Sequence, residues 1–127
     1  MFETVLFPID HRRQTLDTAA VALKLAQQSN SRLVILSVVD REDPAMADAQ
    51  AVAQLLAQAH QRFQAAGIEA QVIEREGRPA FVIGDVADEI NADVIVMGTR
   101  GLSLETDQTS TAARVIQLAP CPVLVVP

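Results

Sequence analysis

The chain has 127 residues, half of them apolar, a formal net charge of −6 and a single cysteine, Cys121. That length is near the commonest domain size, so one domain over residues 1–127 with a sizeable core is expected. A pI near 4.7 argues against the broad cationic surface that nucleic acid or an anionic membrane requires. One cysteine makes no internal disulfide, and no Cys/His cluster has zinc-site spacing. No run reaches the ~18 apolar residues of a membrane span, so the expectation is a cytoplasmic protein without nucleic-acid or membrane partners.

In chain order, Thr4-Val5-Leu6-Phe7-Pro8-Ile9 is apolar on both faces, as in a strand covered on each side by helices. Pro8 cannot donate to a sheet ladder and belongs at the strand's carboxyl end, with Asp10 directly after it. Leu16, Ala20, Leu23 and Ala26 recur at helical spacing, and Ser29-Asn30-Ser31 marks a stop. The run Arg32 to Val39 is a second buried strand, and it too ends on an acid, Asp40. Pro44 stands at or near the start of a long helix whose seam is Ala45, Ala49, Val52, Leu56, Ala59, Phe63 and Ala66, closed by Gly67. That seam is mostly alanine and short, which fits a helix lying on a sheet better than a coiled coil. His60 falls on its surface.

Glu69 to Glu76 alternates in polarity and reads as the edge strand. Gly77-Arg78-Pro79 turns the chain into a third helix striped by Val82, Ile83, Val86, Ala87 and Ile90. Val94 to Met97 forms the next strand, followed by Gly98, a Ser- and Thr-rich stretch, a fourth helix through Ala112, Val115, Ile116 and Ala119, and a last strand, Val123 to Val126. Cys121, between two prolines at the start of that strand, reads as structural rather than reactive.

This βαβαβαβαβ pattern predicts an α/β fold, a single open parallel sheet of five strands with helices on both faces. In the strand order 3-2-1-4-5, strands one and four are neighbours, and their carboxyl ends form the crevice where such sheets bind ligands. Pro8, Ile9 and Asp10 would then meet Met97, Gly98, Arg100 and Gly101. Gly98 and Gly101 allow positive φ and close approach of a ligand, while Thr109, Ser110 and Thr111 gather at a helix start, where orphan amides attract anions. Arg100, Arg12 or Arg13 could add a charge-assisted bond. Each feature also has a plainer reading: Asp10 as a helix-capping acid, the hydroxyls as an N-cap, and His11-Arg12-Arg13 as a solvated loop.

Pro8-Ile9-Asp10, Val38-Val39-Asp40, Gly77-Arg78-Pro79-Ala80, Ala92 to Ser103 and Ala119-Pro120-Cys121-Pro122-Val123-Leu124-Val125-Val126 together resemble the universal stress protein family over essentially the whole chain. The resemblance implies a Rossmann-like, adenine nucleotide alpha hydrolase-like sheet, a homodimer formed through the last strand, and ATP or a related adenine nucleotide in the crevice, with or without Mg²⁺. It also implies that Asp10 and the backbone of Val39 face adenine, that Pro8 and Met97 wall the pocket, and that Gly98, Gly101, Thr109 and Ser110 line ribose and phosphates. The chain departs from the family's glycine pattern. A spacer of seven residues, 102–108, follows Gly101, Thr109 stands where a glycine is usual, and His11-Arg12-Arg13 replaces the small pair that often follows the strand-one acid.

Two functional readings follow from that resemblance: a nucleotide-responsive dimeric regulator of stress response, with an unidentified protein partner, and a dimeric interaction module whose nucleotide site has degenerated. An enzyme of the wider nucleotide-binding superfamily is a third class, but no Walker loop, Gly-x-Ser-x-Gly, His-Glu-x-x-His or Ser-His-Asp arrangement supports it. No catalytic or metal-ligating residue is assigned, and slow ATP hydrolysis is the most that such a site implies.

Overall fold

The computed structural model describes residues 2–11, 16–98 and 111–127. Five strands and four helices alternate: β1 Thr4–Pro8, α1 Leu16–Ser29, β2 Arg32–Val39, α2 Ala49–Ala65, β3 Ala70–Glu76, α3 Pro79–Glu89, β4 Val94–Gly98, α4 Thr111–Leu118 and β5 Val123–Val126. The sheet is parallel throughout, in the expected order β3-β2-β1-β4-β5.

Strand pleating divides the core in two. Val5, Phe7, Leu33, Ile35, Val94 and Val96 point to the face covered by α1 and α2, whereas Leu6, Val34, Leu36, Ile95 and Met97 point to the face covered by α3 and α4. This is why the central strands read as unbroken apolar runs: alternate residues enter different cores, and both cores are apolar. Phe7 meets Phe63 of α2 edge-on, with ring centroids 6.0 Å apart. The edge strand β3 has one buried residue, Ala70, and an exposed Val72, in line with its largely polar sequence.

Two helices differ in detail from their sequence pattern. Among the described side chains of α1 the buried ones are Thr18, Ala19, Ala22 and Ala26, while Ala20 is exposed and Leu23 only packs at the margin. Small side chains let this helix lie close to the sheet, and Leu23 and Leu25 are only partly buried beside them. The second helix begins at Ala49 and not near Pro44, because Asp48 takes extended backbone angles and its carboxylate accepts from the Gln50 amide at 2.9 Å. An acid that satisfies an orphan amide sets the start more firmly than a proline that merely tolerates one. The first-turn proline is instead Pro79, at the start of α3.

Candidate functional site

The order of the strands places the ends of β1 and β4 side by side at the point where the strand order switches direction, with Val5 opposite Val94 and Leu6 opposite Ile95. Pro8 ends β1 because it has no N–H to offer its neighbour. The following residue is fixed twice: the Ile9 amide donates to the Leu36 carbonyl at 2.8 Å, and the Ile9 carbonyl accepts from the fully buried Ser37 hydroxyl at 2.9 Å. These bonds hold Asp10 at the mouth of the crevice.

The second wall comes from the loop after β2. The Asp40 amide donates to the Met46 carbonyl at 3.0 Å and the Met46 amide to the Asp43 carbonyl at 2.9 Å, while the Asp40 and Asp43 carboxylates accept from the amides of Glu42 and Ala45, each at 3.0 Å. Short acidic side chains that bond two residues ahead shape such turns. The His11 amide lies 3.5 Å from the Met46 sulfur, which joins this loop to the one after β1.

A third wall is the start of α3. Gly77, at φ +148°, donates to the Val39 carbonyl at 3.0 Å, and Arg78 then reaches Glu42 at 3.0 Å across the mouth. Both side chains of that pair are well exposed, so its value to stability is small. Its effect is to tie the β2–α2 loop to the α3 start.

These segments enclose a pocket of about 270 Å³. Its apolar surface comes from Ile9, Leu36, Val38, Met46, Ile83 and Met97. Its polar and charged lining residues include Asp10, Asp40, Glu42, Asp43, Arg78 and Arg114. Of the residues singled out from sequence, Pro8, Ile9, Asp10, Met97, Gly98 and Thr111 converge here. Val39 does not line the space; it is buried on the α1 and α2 face, between the lining residues Val38 and Asp40, and holds Gly77 through its carbonyl. Arg100, Gly101, Thr109 and Ser110, like Arg12 and Arg13, lie outside the described residues.

Sequence reading passed over Met46, Phe81 and Arg114 as lining residues. Met46 gives no periodic signal, because it sits in a loop whose turns bury it. Arg114 could have been found from its spacing, three residues after Thr111 and so on the neighbouring part of one helical face.

Cys121 is half-buried at the opposite end of the sheet, before β5 begins. Burial pushes its thiol pKa up and the Asp93 carboxylate adds to that, so the reactive thiolate is disfavoured. On the sheet's outer side Arg75 and Glu89 pair at 2.8 Å; their hydrogen bond raises the guanidinium pKa and lowers the carboxyl pKa. Among the described residues no three His, Cys, Asp or Glu side chains gather as a metal-binding group, and no helix is long and apolar enough to cross a membrane.

Comparison with known proteins gives this geometry its context. The sequence profile of the Universal stress protein family matches residues 1–127. Universal stress protein Sll1654 of Synechocystis sp. is 48% identical over 136 residues, covering 100% of this chain and 87% of its own length. A universal stress protein of Thermus aquaticus is 32% identical, with 99% of both chains covered. Among solved structures, a universal stress protein in complex with cAMP superposes with a TM-score of 0.82 at 25% identity, covering 99% of this chain and 97% of its own. A universal stress protein from Archaeoglobus fulgidus shares the fold, with a TM-score of 0.80 at 20% identity and both chains fully covered. A five-stranded sheet in this order, a crevice at its reversal point and a match along the entire sequence place the chain in the universal stress protein family.

Proposed function

We propose that this protein binds an adenine nucleotide, an ATP-, ADP- or AMP-like ligand, in the crevice between β1 and β4, and acts in stress response as a nucleotide-responsive dimeric regulator. The observation that carries the reading is the meeting of Pro8, Ile9 and Asp10 with Met97, Gly98 and Thr111 around one pocket. The solved relative in complex with cAMP supports the same ligand class.

The lining fits the parts of such a ligand. A purine needs a flat apolar slot, which Ile9, Val38 and Met97 provide. An ionised carboxylate only accepts hydrogen bonds, so Asp10 suits the exocyclic amine of adenine and not the carbonyl that guanine has in its place. Val39 serves indirectly, by anchoring Gly77 and with it the α3 wall. Gly98, at the end of β4, leaves room for the ligand to approach the backbone. Gly101, Thr109 and Ser110 complete the ribose and phosphate contacts in this reading, with Arg100 as a further cation. Mg²⁺ would enter bound to the phosphates.

Calorimetric titration of the full chain with ATP, ADP, AMP and cyclic AMP, with and without Mg²⁺, tests the reading. Saturable binding to at least one member is expected. Asp10→Ala should weaken it about tenfold or more, the cost of a lost bond to a charged group. Silence across the panel rejects the nucleotide and leaves the interaction module as the better description.

The dimer is proposed through β5. This strand sits at the sheet edge, its four apolar residues are only partly covered, and Leu124 is 40% exposed. An uncovered apolar edge invites pairing, and a second copy would satisfy it. Light scattering should therefore show a dimer at micromolar concentration. Leu124→Lys is expected to shift it to monomer, and an unchanged mass would refute this placement.

A further inference from the structure

We propose that the outer groove between α3 and α4 is a docking surface for a protein partner, and that it takes a segment in which an apolar side chain is flanked by lysine or arginine. This surface is independent of which ligand the crevice binds.

The groove is open and holds about 300 Å³, with Phe81, Gly84, Asp85 and Asp88 of α3 on one side and Leu118 and Pro120 on the other. Phe81 is 51% exposed and Leu118 48%, so two large apolar side chains meet water at one place, as they do where proteins dock. Gly84 lies between them. Inside a helix a glycine is costlier than an alanine, and nothing in the fold requires this one. Its φ is not positive, and among the described atoms an added Cβ meets only the Leu118 carbonyl oxygen, at the ordinary contact distance of 3.9 Å. What the missing side chain does is keep the floor of the groove open for another molecule.

Charge selects the occupant. Asp85 and Asp88 follow Phe81 by four and seven residues, on one face of α3. The facing wall is the carboxyl end of α4, which attracts cations and carries no basic residue in its last turn. Arg75 feels the Asp85 charge but is bonded to Glu89 at 3.2 and 2.8 Å, and no basic side chain lines the groove among the described residues. A second copy paired through this face would set Asp85 and Asp88 against their twins, and an anionic membrane would meet them with like charge. A basic protein segment is the complementary partner. Phe81 also lines the crevice, so that segment would rest against a wall of the ligand site.

Fluorescence anisotropy of the full chain at physiological ionic strength, with three short labelled peptides, tests this. The first carries leucines flanked by arginines; in the second glutamate replaces arginine, and in the third serine replaces leucine. The first should bind, and either replacement should weaken it about tenfold or more. Phe81→Ser should weaken the first peptide about tenfold or more, as for an aromatic anchor. Asp85→Asn combined with Asp88→Asn should weaken it about fivefold to tenfold, as for two exposed ion pairs. Gly84→Leu should block it while the unfolding midpoint stays at or above that of the parent, because the Cβ has room and leucine favours the helix. Glu69→Gln combined with Glu74→Gln removes equal charge from exposed positions at and beside β3 and should change nothing.

Failure of the first peptide to bind, binding that Phe81→Ser and Gly84→Leu leave intact, or equal weakening by the Glu69 and Glu74 pair would overturn the proposal. Sedimentation with phosphatidylserine vesicles that Phe81→Ser abolishes, or a dimer mass in light scattering that the same change removes, would assign the groove to a membrane or to a second copy and overturn it as well.

Discussion

Leu6→Ala should lower the unfolding free energy by about 2–5 kcal/mol, the range for emptying a large aliphatic side chain from a close-packed core. Leu6 has no exposed surface and lies on β1, the middle strand of the sheet, in register with Val34 on one side and Ile95 on the other. It faces the core beneath α3 and α4, where Val86 and Val115 are also fully enclosed. Strands paired on both sides cannot shift to fill the vacated space without breaking their ladders. Domains of this kind have only about 5–15 kcal/mol in total, so this one change removes a large share. A urea titration followed by far-ultraviolet circular dichroism would show the midpoint falling steeply. Val72→Ala, on the edge strand and 46% exposed, should change stability by about 0.5 kcal/mol or less. Similar losses at the two positions would contradict the placing of β1 at the sheet's centre.

Replacing Gly77 with alanine is expected to cost about 1–3 kcal/mol, the price of holding an ordinary residue in a backbone region it rarely occupies. At φ +148°, an added Cβ would lie 2.9 Å from a methyl carbon of Val82, so steric crowding adds to backbone strain. The crowding cannot be relieved cheaply, because the Gly77 amide is bonded to the Val39 carbonyl and Val82 packs against the core beneath α3. Any relaxation must move Arg78 and Pro79, which line the pocket. The variant should therefore lose ligand affinity along with stability, read by calorimetry and by urea unfolding on the same preparation. Gly67 is the control. It too has positive φ, +85°, but nothing lies within 4 Å of an added Cβ, and it is remote in the chain from the pocket segments. Gly67→Ala should cost less and leave binding intact. If both variants bind ligand like the parent, the turn at Gly77 has no part in shaping the site.

Much of the site was legible because its two principal segments announce themselves locally. Pro8 followed by Ile9 and Asp10 marks a strand that must end, and Met97-Gly98 marks a strand running into a turn. Their meeting follows from strand order, which periodicity does not contain but the resemblance to a known family supplied. The lining from the loop after β2 was less visible. Met46 is buried by hydrogen bonds among Asp40, Asp43 and its own backbone, and no spacing rule foretells a buried methionine in such a loop. Arg78 was noticed only as part of a turn, since its ion pair with Glu42 joins residues 36 positions apart in the chain.

The sequence by itself determined the alternation of strands and helices, the buried character of β1, β2 and β4 and the exposed character of β3. Each of these depends on side chains a few residues apart facing the same or opposite sides of one element. Only the tertiary structure decided which face of α1 is buried, where α2 starts, and which charges share the crevice. Helix α1 packs through alanines because the distance to the sheet is set by every side chain between them, and α2 starts where Asp48 can reach an amide. Asp10, Asp40, Arg78 and Arg114 are neighbours only because the parallel sheet brings its carboxyl ends to one edge; their balance of charge is a property of that edge and of no single stretch of chain.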